Sequence, residues 1–297
     1  MVEDRAERSE RYGIVVGIDG SDGSRAAMRW AAAHTDHFGP IQPVVAWRFP
    51  WWLVPNPFPG APAPPPSEQF QLRAERQARH ELDSLGIEPT ADPIVCEAAA
   101  GPTLVTIGAR ANLIAVGTRG RDALRGTLLG STGMHLVTHA RVPVVVVPRD
   151  LPMTPRQGPV VVGIDGSPNA TAALRWALTN TPANTLLVAV MSYLDPIDVT
   201  LRPDLPPKTE TAQAAERLLR TTVDETRRAI GPEAHEVTTR VLYGEPREVL
   251  EELATTAQLL VLGTRGHRGV AHLLLGSTTD ALIRHPIAPV VVVPSDG

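Results

Sequence analysis

The sequence predicts an α/β fold of two tandem, doubly wound domains, each with a five-stranded parallel sheet and helices on both faces. The chain has 297 residues, which corresponds to about two average domains. Five short blocks of sequence occur twice, always 146 residues apart. Within each copy, short apolar runs alternate with helical segments, a pattern typical of a parallel sheet covered by helices.

The repeat defines the domain boundaries. The block GIDGS at 17–21 returns at 163–167, and a constant offset over five blocks is not expected by chance. The other blocks are RWA at 29–31 and 175–177, GTRG at 117–120 and 263–266, LGST at 129–132 and 275–278, and PVVVVP at 143–148 and 289–294. The sequence therefore predicts domains at 1–150 and 159–297, joined by a linker at 151–158 of turn-forming composition.

Hydrophobic patterning predicts the elements of the first half in order. Five runs that are apolar on both faces suit buried parallel strands, at 14–18, 44–47, 93–98, 113–117 and 144–147. Ala27, Trp30, Ala31 and His34 recur at helical spacing and predict a helix from Ser24 onward. Further helices are predicted at 67–85, at 102–110 with proline in the opening turn, and at 131–139. The second half follows the same plan.

Composition and charge exclude several classes of protein. The formal net charge of −4 lacks the basic footprint of a nucleic-acid-binding protein. The single cysteine, Cys96, excludes a disulfide framework and a multi-cysteine metal site, and we expect it to be a buried apolar residue. The polar segment 1–12 does not resemble a secretory signal, and no apolar run reaches the length of a membrane span. We therefore expect a cytoplasmic protein without a nucleic-acid partner.

Glycine-rich loops follow the fourth predicted strand of each domain. In the first domain Gly117 and Gly120 are followed, after nine residues, by Gly130, Ser131 and Thr132, which open a helix. Glycine lets backbone amides approach a ligand, and a helix N-terminus favours an anion. The second copy has the same spacing in Gly263, Gly266, Gly276, Ser277 and Thr278. The pattern favours a phosphate cradle in each domain; the alternative is that the glycines only form turns and Ser131 only caps its helix.

Charged side chains near these loops are candidates for binding the rest of such a ligand. The loop is not a Walker motif, because that motif needs lysine before its serine or threonine, and the only lysine here is Lys208. The candidate cations are Arg119, Arg121, Arg265 and Arg268, which are equally well explained as solvated loop residues. Asp19 and Asp165 end the first strand of each domain, where a carboxylate can hold a ribose hydroxyl or a metal ion, or alternatively cap the following turn.

Both halves resemble the universal stress protein family. They match its ATP-binding pattern G-x2-G-x9-G-[ST], and each has the aspartate of GIDGS at the end of its first strand. The resemblance covers nearly the whole chain as two tandem domains, and the arginine-rich, lysine-poor composition looks like that of an actinobacterial member. It implies the strand order 3-2-1-4-5 in each domain and one ATP per domain, two per chain, accompanied by Mg²⁺.

The resemblance also implies where ATP would lie. Its phosphates would lie on the loop 117–132 and on the equivalent loop of the second domain, so that a methyl group at Gly117 or Gly263 would intrude on them. Ribose would contact Gly17 and Asp19 in the first domain, and Gly163 and Asp165 in the second. Adenine would contact the backbone of Ala46 in the first domain and that of Ser192 in the second. We expect unequal affinity at the two sites, because the first domain has Ala98–Ala100 where the second keeps the family's Gly-x-Pro.

As a function, the resemblance implies a regulator of stress adaptation, dormancy or growth, whose conformation or protein partner depends on bound ATP. The alternative is a slow ATPase or phosphotransferase that uses the same sites. No histidine or glutamate in the repeated motifs is available as a base, and Asp19 and Asp165 are better placed for ribose or metal. A scaffold with relic loops is disfavoured, because both copies of the motif are intact.

Three further features complete the expectations. The strands 144–147 and 290–293 are strongly β-forming, and family members dimerise through this strand, which predicts a homodimer or an intrachain pseudo-dimer. The proline- and tryptophan-rich segment 49–66 is interpreted as a lid or partner surface, or as a stiff connector. His135, His139, His272 and His285 lack a repeated metal-ligand spacing and are interpreted as surface or core residues.

Overall fold

The structure is a computed structural model that describes residues 12–48, 67–87, 91–118, 129–152, 157–194, 209–266 and 275–295. The first half contains strands β1 (Tyr12–Gly17), β2 (Ile41–Trp47), β3 (Ile94–Glu97), β4 (Ala111–Gly117) and β5 (Val144–Val147). Its helices are α1 (Asp22–Ala32), α2 (Thr35–Phe38), α3 (Ser67–Ser84), α4 (Ala100–Gly108) and α5 (Ser131–His139). Within the described ranges, no helix is both long and apolar enough to cross a membrane.

The second half repeats the plan of the first. Its strands are β6 (Val160–Gly163), β7 (Leu187–Tyr193), β8 (Val237–Tyr243), β9 (Leu259–Gly263) and β10 (Val290–Val293). Its helices are α6 (Pro168–Asn180), α7 (Thr209–Ile230), α8 (Pro246–Ala254) and α9 (Ser277–Arg284). The predicted helix 131–139 is confirmed at its bounds, whereas the helix predicted at 102–110 begins two residues earlier, at Ala100. The single-turn helix α2 is too short for hydrophobic periodicity to predict.

The strands form one ten-stranded sheet with the order β3-β2-β1-β4-β5-β10-β9-β6-β7-β8. Each half has the order 3-2-1-4-5, and all strand pairs inside each half are parallel. The predicted doubly wound α/β class and strand order are therefore confirmed. Because parallel strands point the same way, the carboxyl ends of β1 and β4 lie side by side in the first half of the sheet. The carboxyl ends of β6 and β9 lie side by side in the second half.

The two halves join through β5 and β10, which pair antiparallel with Val145 opposite Val291. Both strands are fully buried, and each also pairs with a strand of its own half. The intrachain alternative of the predicted strand pairing is thus the one that the fold contains. Since β5 and β10 have partners on both sides, neither is available to pair with a second chain.

An aromatic contact crosses the junction of the two halves. Phe38 stacks on Trp176 with ring centroids 5.9 Å apart and planes only 7° from parallel. Phe38 also lies 6.3 Å from Trp30, the residue that corresponds to Trp176 in the first repeat. The side chains under α1, α3, α6 and α7 form one hydrophobic cluster that runs through both halves, and those under the remaining long helices form a second.

Candidate functional site

In the second repeat, the ends of the first and fourth strands meet at one point. Asp165 follows β6 and Gly266 follows β9, and a Cβ built on Gly266 would lie only 2.5 Å from Oδ2 of Asp165. The hydroxyl of Ser167 also approaches the carbonyl oxygen of Arg265, at 3.4 Å. The structure therefore brings together the predicted residues Asp165, Arg265 and Gly266, which the sequence separates by about one hundred positions.

Each glycine loop is closed by a backbone hydrogen bond. The amide of Gly276 donates to the carbonyl of Thr264, and the amide of Gly130 donates to that of Thr118, both at 2.8 Å. A Cβ on Gly276 would lie 3.3 Å from the amide nitrogen of Gly266. These bonds bring the N-termini of α5 and α9 back to the ends of β4 and β9. Thr118 and Thr264 were not predicted as site residues, although both belong to the repeated GTRG block.

Among the residues that the structure describes, no side chain caps the helices that follow these loops. Gly130 and Gly276 are the N-cap residues of α5 and α9, and glycine has no side chain to accept a hydrogen bond. By contrast, α1 and α6 begin near the same sheet edge, and the side chains of Ser21 and Ser167 cap them. The alternative that Ser131 caps its helix is wrong, because Ser131 is the first helical residue and is exposed. The first-turn amides of α5 and α9 are thus suited to an external anion.

Both candidate carboxylates take part in a turn. Oδ1 of Asp19 accepts from the amide of Ser21, and Oδ1 of Asp165 accepts from the amide of Ser167, each at 3.0 Å. This geometry is that of a turn cap, which was the alternative to a ligand role for these residues. Both side chains are exposed, so a carboxylate that caps its turn can also contact a ligand. Among the described residues, no group of three His, Cys, Asp or Glu side chains is arranged to hold a metal ion. A role toward ribose or metal stays a prediction.

Gly117 and Gly263 are required by packing against a helix. A Cβ on Gly117 would overlap the backbone of Gly23 in the first turn of α1. A Cβ on Gly263 would lie 2.6 Å from the carbonyl carbon of Asn169 in α6. Packing against the helix is therefore a sufficient reason for both glycines, and contact of phosphate with them stays a prediction.

The neighbouring glycines Gly17 and Gly163 make a softer contact. A Cβ on Gly17 would lie 2.9 Å from the end of Leu104, and one on Gly163 would lie 2.8 Å from the end of Leu262. Leucine side chains can shift, whereas helix backbone cannot shift without moving the helix. Both glycines end their first strands beside the candidate aspartates, as expected, and their contact with ribose stays a prediction.

The second strands end in half-buried residues followed by aromatic side chains. Ala46 and Ser192 occupy the positions predicted for adenine contact. The following aromatic side chains are paired: Trp47 lies 6.0 Å from Phe70, and Tyr193 lies 5.6 Å from Tyr243, between ring centroids. The indole nitrogen of Trp47 is buried and has no hydrogen-bond partner among the described residues. The two halves therefore differ in the chemistry of this end of the sheet.

An exposed leucine borders the site and was missed by motif reasoning. Leu218 of α7 is 46% exposed, and its Cδ2 lies 3.0 Å from a Cβ built on Gly166, next to Asp165. Leu72 of α3 occupies the same place in the first repeat and is 49% exposed. The 146-residue offset relates Leu72 to Leu218 and could have identified the pair. A leucine on a helix is, however, expected in the core unless its exposure is known.

Some predicted features lie outside the described residues. These are Arg119, Gly120, Arg121, Arg268, His272 and the segment 49–66. Arg265 is described and half-buried. Gly244, the glycine of Gly-x-Pro in the second repeat, has a positive φ of +140°. Its counterpart in the first repeat, Ala98, does not have a positive φ, like every other described non-glycine residue. The turn after the third strand thus differs between the repeats, and unequal affinity stays a prediction.

Comparison with known proteins agrees with this geometry. The family model described as the universal stress protein family matches residues 13–148 and again residues 158–294. The chain belongs to the universal stress protein family. Membership supports a role in the stress response, and the double match accounts for the 146-residue repeat.

The relatives of this universal stress protein have the same tandem length. One universal stress protein of Mycobacterium tuberculosis is 32% identical to it, and the alignment covers 96% of each chain. A second from the same organism is 33% identical, and the alignment covers 94% of this chain and 95% of the relative. A solved universal stress protein of Archaeoglobus fulgidus matches 96% of this chain and 99% of its own, with a TM-score of 0.64. At 17% identity, that match supports the fold alone.

Proposed function

We propose that this chain is an ATP-binding regulator of the stress response, with one ATP in each repeat. Nucleotide occupancy would set the conformation of the chain or its choice of a regulatory protein partner. The observation that carries the proposal is the closed glycine loop, which brings an uncapped helix N-terminus to the end of the fourth strand in both repeats. We propose 1–150 and 159–297 as the two binding domains, with the linker 151–158 between them, in a cytoplasmic protein.

The triphosphate would lie against the first turn of α5 or α9. The amides of that turn, the exposed hydroxyl of Ser131 or Ser277, and Thr132 or Thr278 supply donors. Because the chain carries a net charge of −4, its overall field does not attract ATP, and attraction must come from these local dipoles and from arginine. In the second repeat, half-buried Arg265 adds a cation beside Gly266.

Mg²⁺ would accompany the triphosphate. This ion takes most of its ligands from phosphate oxygens and water and only one or two from carboxylates, so a three-residue protein cluster is not required. Asp165 beside Gly266 is in position to add one ligand in the second repeat, and Asp19 is its counterpart in the first. Both carboxylates are equally suited to a ribose hydroxyl.

Adding one negative charge at the helix N-terminus tests the phosphate placement. Ser277→Asp and Ser131→Asp are expected to weaken ATP binding at their own sites by about tenfold or more, because the new carboxylate occupies the anion position. The same carboxylate suits the helix dipole, so folding stability is expected to hold or rise. Titration calorimetry should show two ATP sites of wild-type affinity in the wild-type chain, one in each single variant and none in the double variant.

The control is Ser277→Asn, which has nearly the shape of aspartate without its charge and is expected to keep most of the affinity. Wild-type chain that neither releases an adenine nucleotide on denaturation nor binds ATP in titration would refute the proposal. cAMP, present in one solved universal stress protein, lacks the terminal phosphates and is a useful comparator ligand. Multiple turnover of labelled ATP, lost in Asp19→Ala and Asp165→Ala, would favour the slow ATPase instead.

Leu218→Gln is expected to weaken ATP binding in the second repeat about fivefold, because an apolar side chain at the rim would pack against the nucleoside. Leu186→Gln is the matched control, since Leu186 is 57% exposed but lies immediately before β7, at the end of the strands opposite to Asp165. Calorimetry on both variants decides the point. Equal affinity of the two variants would show that Leu218 only covers Gly166.

A further inference from the structure

Helix α5 carries two histidines outside the loops used by the proposed nucleotide site. His135 and His139 are four residues apart, so both lie on one face of the helix. Their ring centroids are 4.2 Å apart and their planes differ by 15°. Two histidines at this spacing on a helix are the arrangement that binds one zinc ion in metalloproteases.

Hydrogen bonding determines the tautomer of His139. Its Nδ1 lies 2.9 Å from the carbonyl oxygen of His135 and 2.7 Å from Oγ1 of Thr138. A carbonyl only accepts, and the single hydroxyl hydrogen of Thr138 is donated to the carbonyl of Met134 or His135. The contact with the carbonyl of His135 is a hydrogen bond when Nδ1 carries the proton, and Oγ1 of Thr138 is then a second acceptor. In this neutral tautomer Nε2 keeps its lone pair, as in histidines that bind metal while Nδ1 donates to a backbone carbonyl.

The ring of His135 is positioned by the neighbouring helix. It packs against Gly101 of α4, where a Cβ would lie 2.8 Å from Cδ2 of His135. Glycine at 101 therefore makes room for the imidazole between the two helices. Within the part of the chain that the structure describes, no hydrogen bond occupies the ring nitrogens of His135.

We propose that His135 and His139 together bind one divalent transition-metal ion of the zinc or nickel type, with water as the remaining ligands. At a Zn–N distance of about 2.0–2.1 Å, two coordinated nitrogens lie about 3.4 Å apart. The stacked rings bring the two imidazoles within 4.2 Å, and both must tilt out of the stack so that their in-plane lone pairs converge on one ion.

The second repeat offers a natural comparison. Ala281 stands where the first repeat has His135, and Arg247 stands where it has Gly101. His285, the counterpart of His139, is the residue after α9 and has non-helical backbone angles of −131° and 57°. The second repeat thus has neither the histidine pair nor the space for it, and the site is expected once per chain.

Calorimetric titration of the nucleotide-free full chain with Zn²⁺ and with Ni²⁺ tests the proposal. We expect one ion per chain, and a loss of affinity of at least about tenfold in His139→Ala and in His135→Asn. His139 is exposed, so its replacement leaves the fold intact. Zn²⁺ should also raise the melting temperature of the wild-type chain but not that of His139→Ala, because an ion bound only by the folded state stabilises it.

The matched controls are His80→Ala and His285→Ala, which remove lone histidines and are expected to keep the wild-type affinity. Absence of Zn²⁺ and Ni²⁺ binding by the wild-type chain would overturn the proposal. So would undiminished binding by the double variant of His135 and His139, since the ion would then be bound elsewhere. Because no nucleotide is present, the outcome is independent of whether ATP binds.

Discussion

Gly117→Ala is expected to lower the free energy of unfolding by about 3 kcal/mol, and Gly263→Ala by somewhat less. The added methyl group overlaps the backbone of Gly23 in α1 in the first case, and lies 2.6 Å from the backbone of Asn169 in α6 in the second. A helix backbone cannot give way like a side chain, so the helix must move off the sheet. Urea denaturation measures the effect, provided that the variants and the wild type have the same dependence of unfolding free energy on urea concentration.

Gly276→Ala is the control for these variants. Its Cβ would lie 3.3 Å from the nearest atom, the amide nitrogen of Gly266, so small adjustments accommodate it. We expect its stability to stay within about 1 kcal/mol of wild type. If Gly117→Ala kept full stability and lost only ATP affinity, the packing explanation would be wrong and the phosphate explanation correct.

Val145→Asp is expected to cost about 3–5 kcal/mol, because it leaves an unpaired carboxylate in the seam between the halves. Val145 is completely buried and lies opposite Val291 in the antiparallel pair of β5 and β10. Thr238→Asp, on the exposed edge strand β8, introduces the same side chain and is expected to change stability by less than about 1 kcal/mol. Urea denaturation again provides the measurement.

The register of the seam can be tested by compensation. Val145→Lys combined with Val291→Asp places opposite charges on directly opposed residues, and we expect the double variant to be more stable than the sum of the single variants. Moving the aspartate to Val293, which faces the same side of the sheet but not Val145, should give no such rescue. Equal coupling at both positions would contradict the register.

Most of the strands could be predicted because each is a short run of apolar residues buried on both faces. Val144–Val147 and Val290–Val293 are examples, and their position in the structure agrees with the sequence. The proximity of Asp165 to Gly266 also followed from the rule that parallel strands end at the same edge. These predictions need only the local pattern and the handedness of α/β units.

Other features depend on contacts that no local pattern contains. Gly117 and Gly130 belong to one motif, yet Gly117 is explained by a clash with α1 and Gly130 by the start of α5. The exposure of Leu72 and Leu218 depends on how α3 and α7 lie on the sheet. In α5, the sequence showed two histidines but not the hydrogen bonds that determine the tautomer of His139.

The sequence by itself determined that this chain is two copies of one α/β domain, with a glycine loop at the same place in each. Hydrophobic periodicity and a constant offset are local properties of the chain, and reading them requires no coordinates. Only the tertiary structure decided that β5 and β10 pair within one chain rather than between two, because both outcomes bury the same valines. It also decided that Gly130 and Gly276 leave their helices uncapped at the sheet edge, since cap geometry depends on where the loop closes.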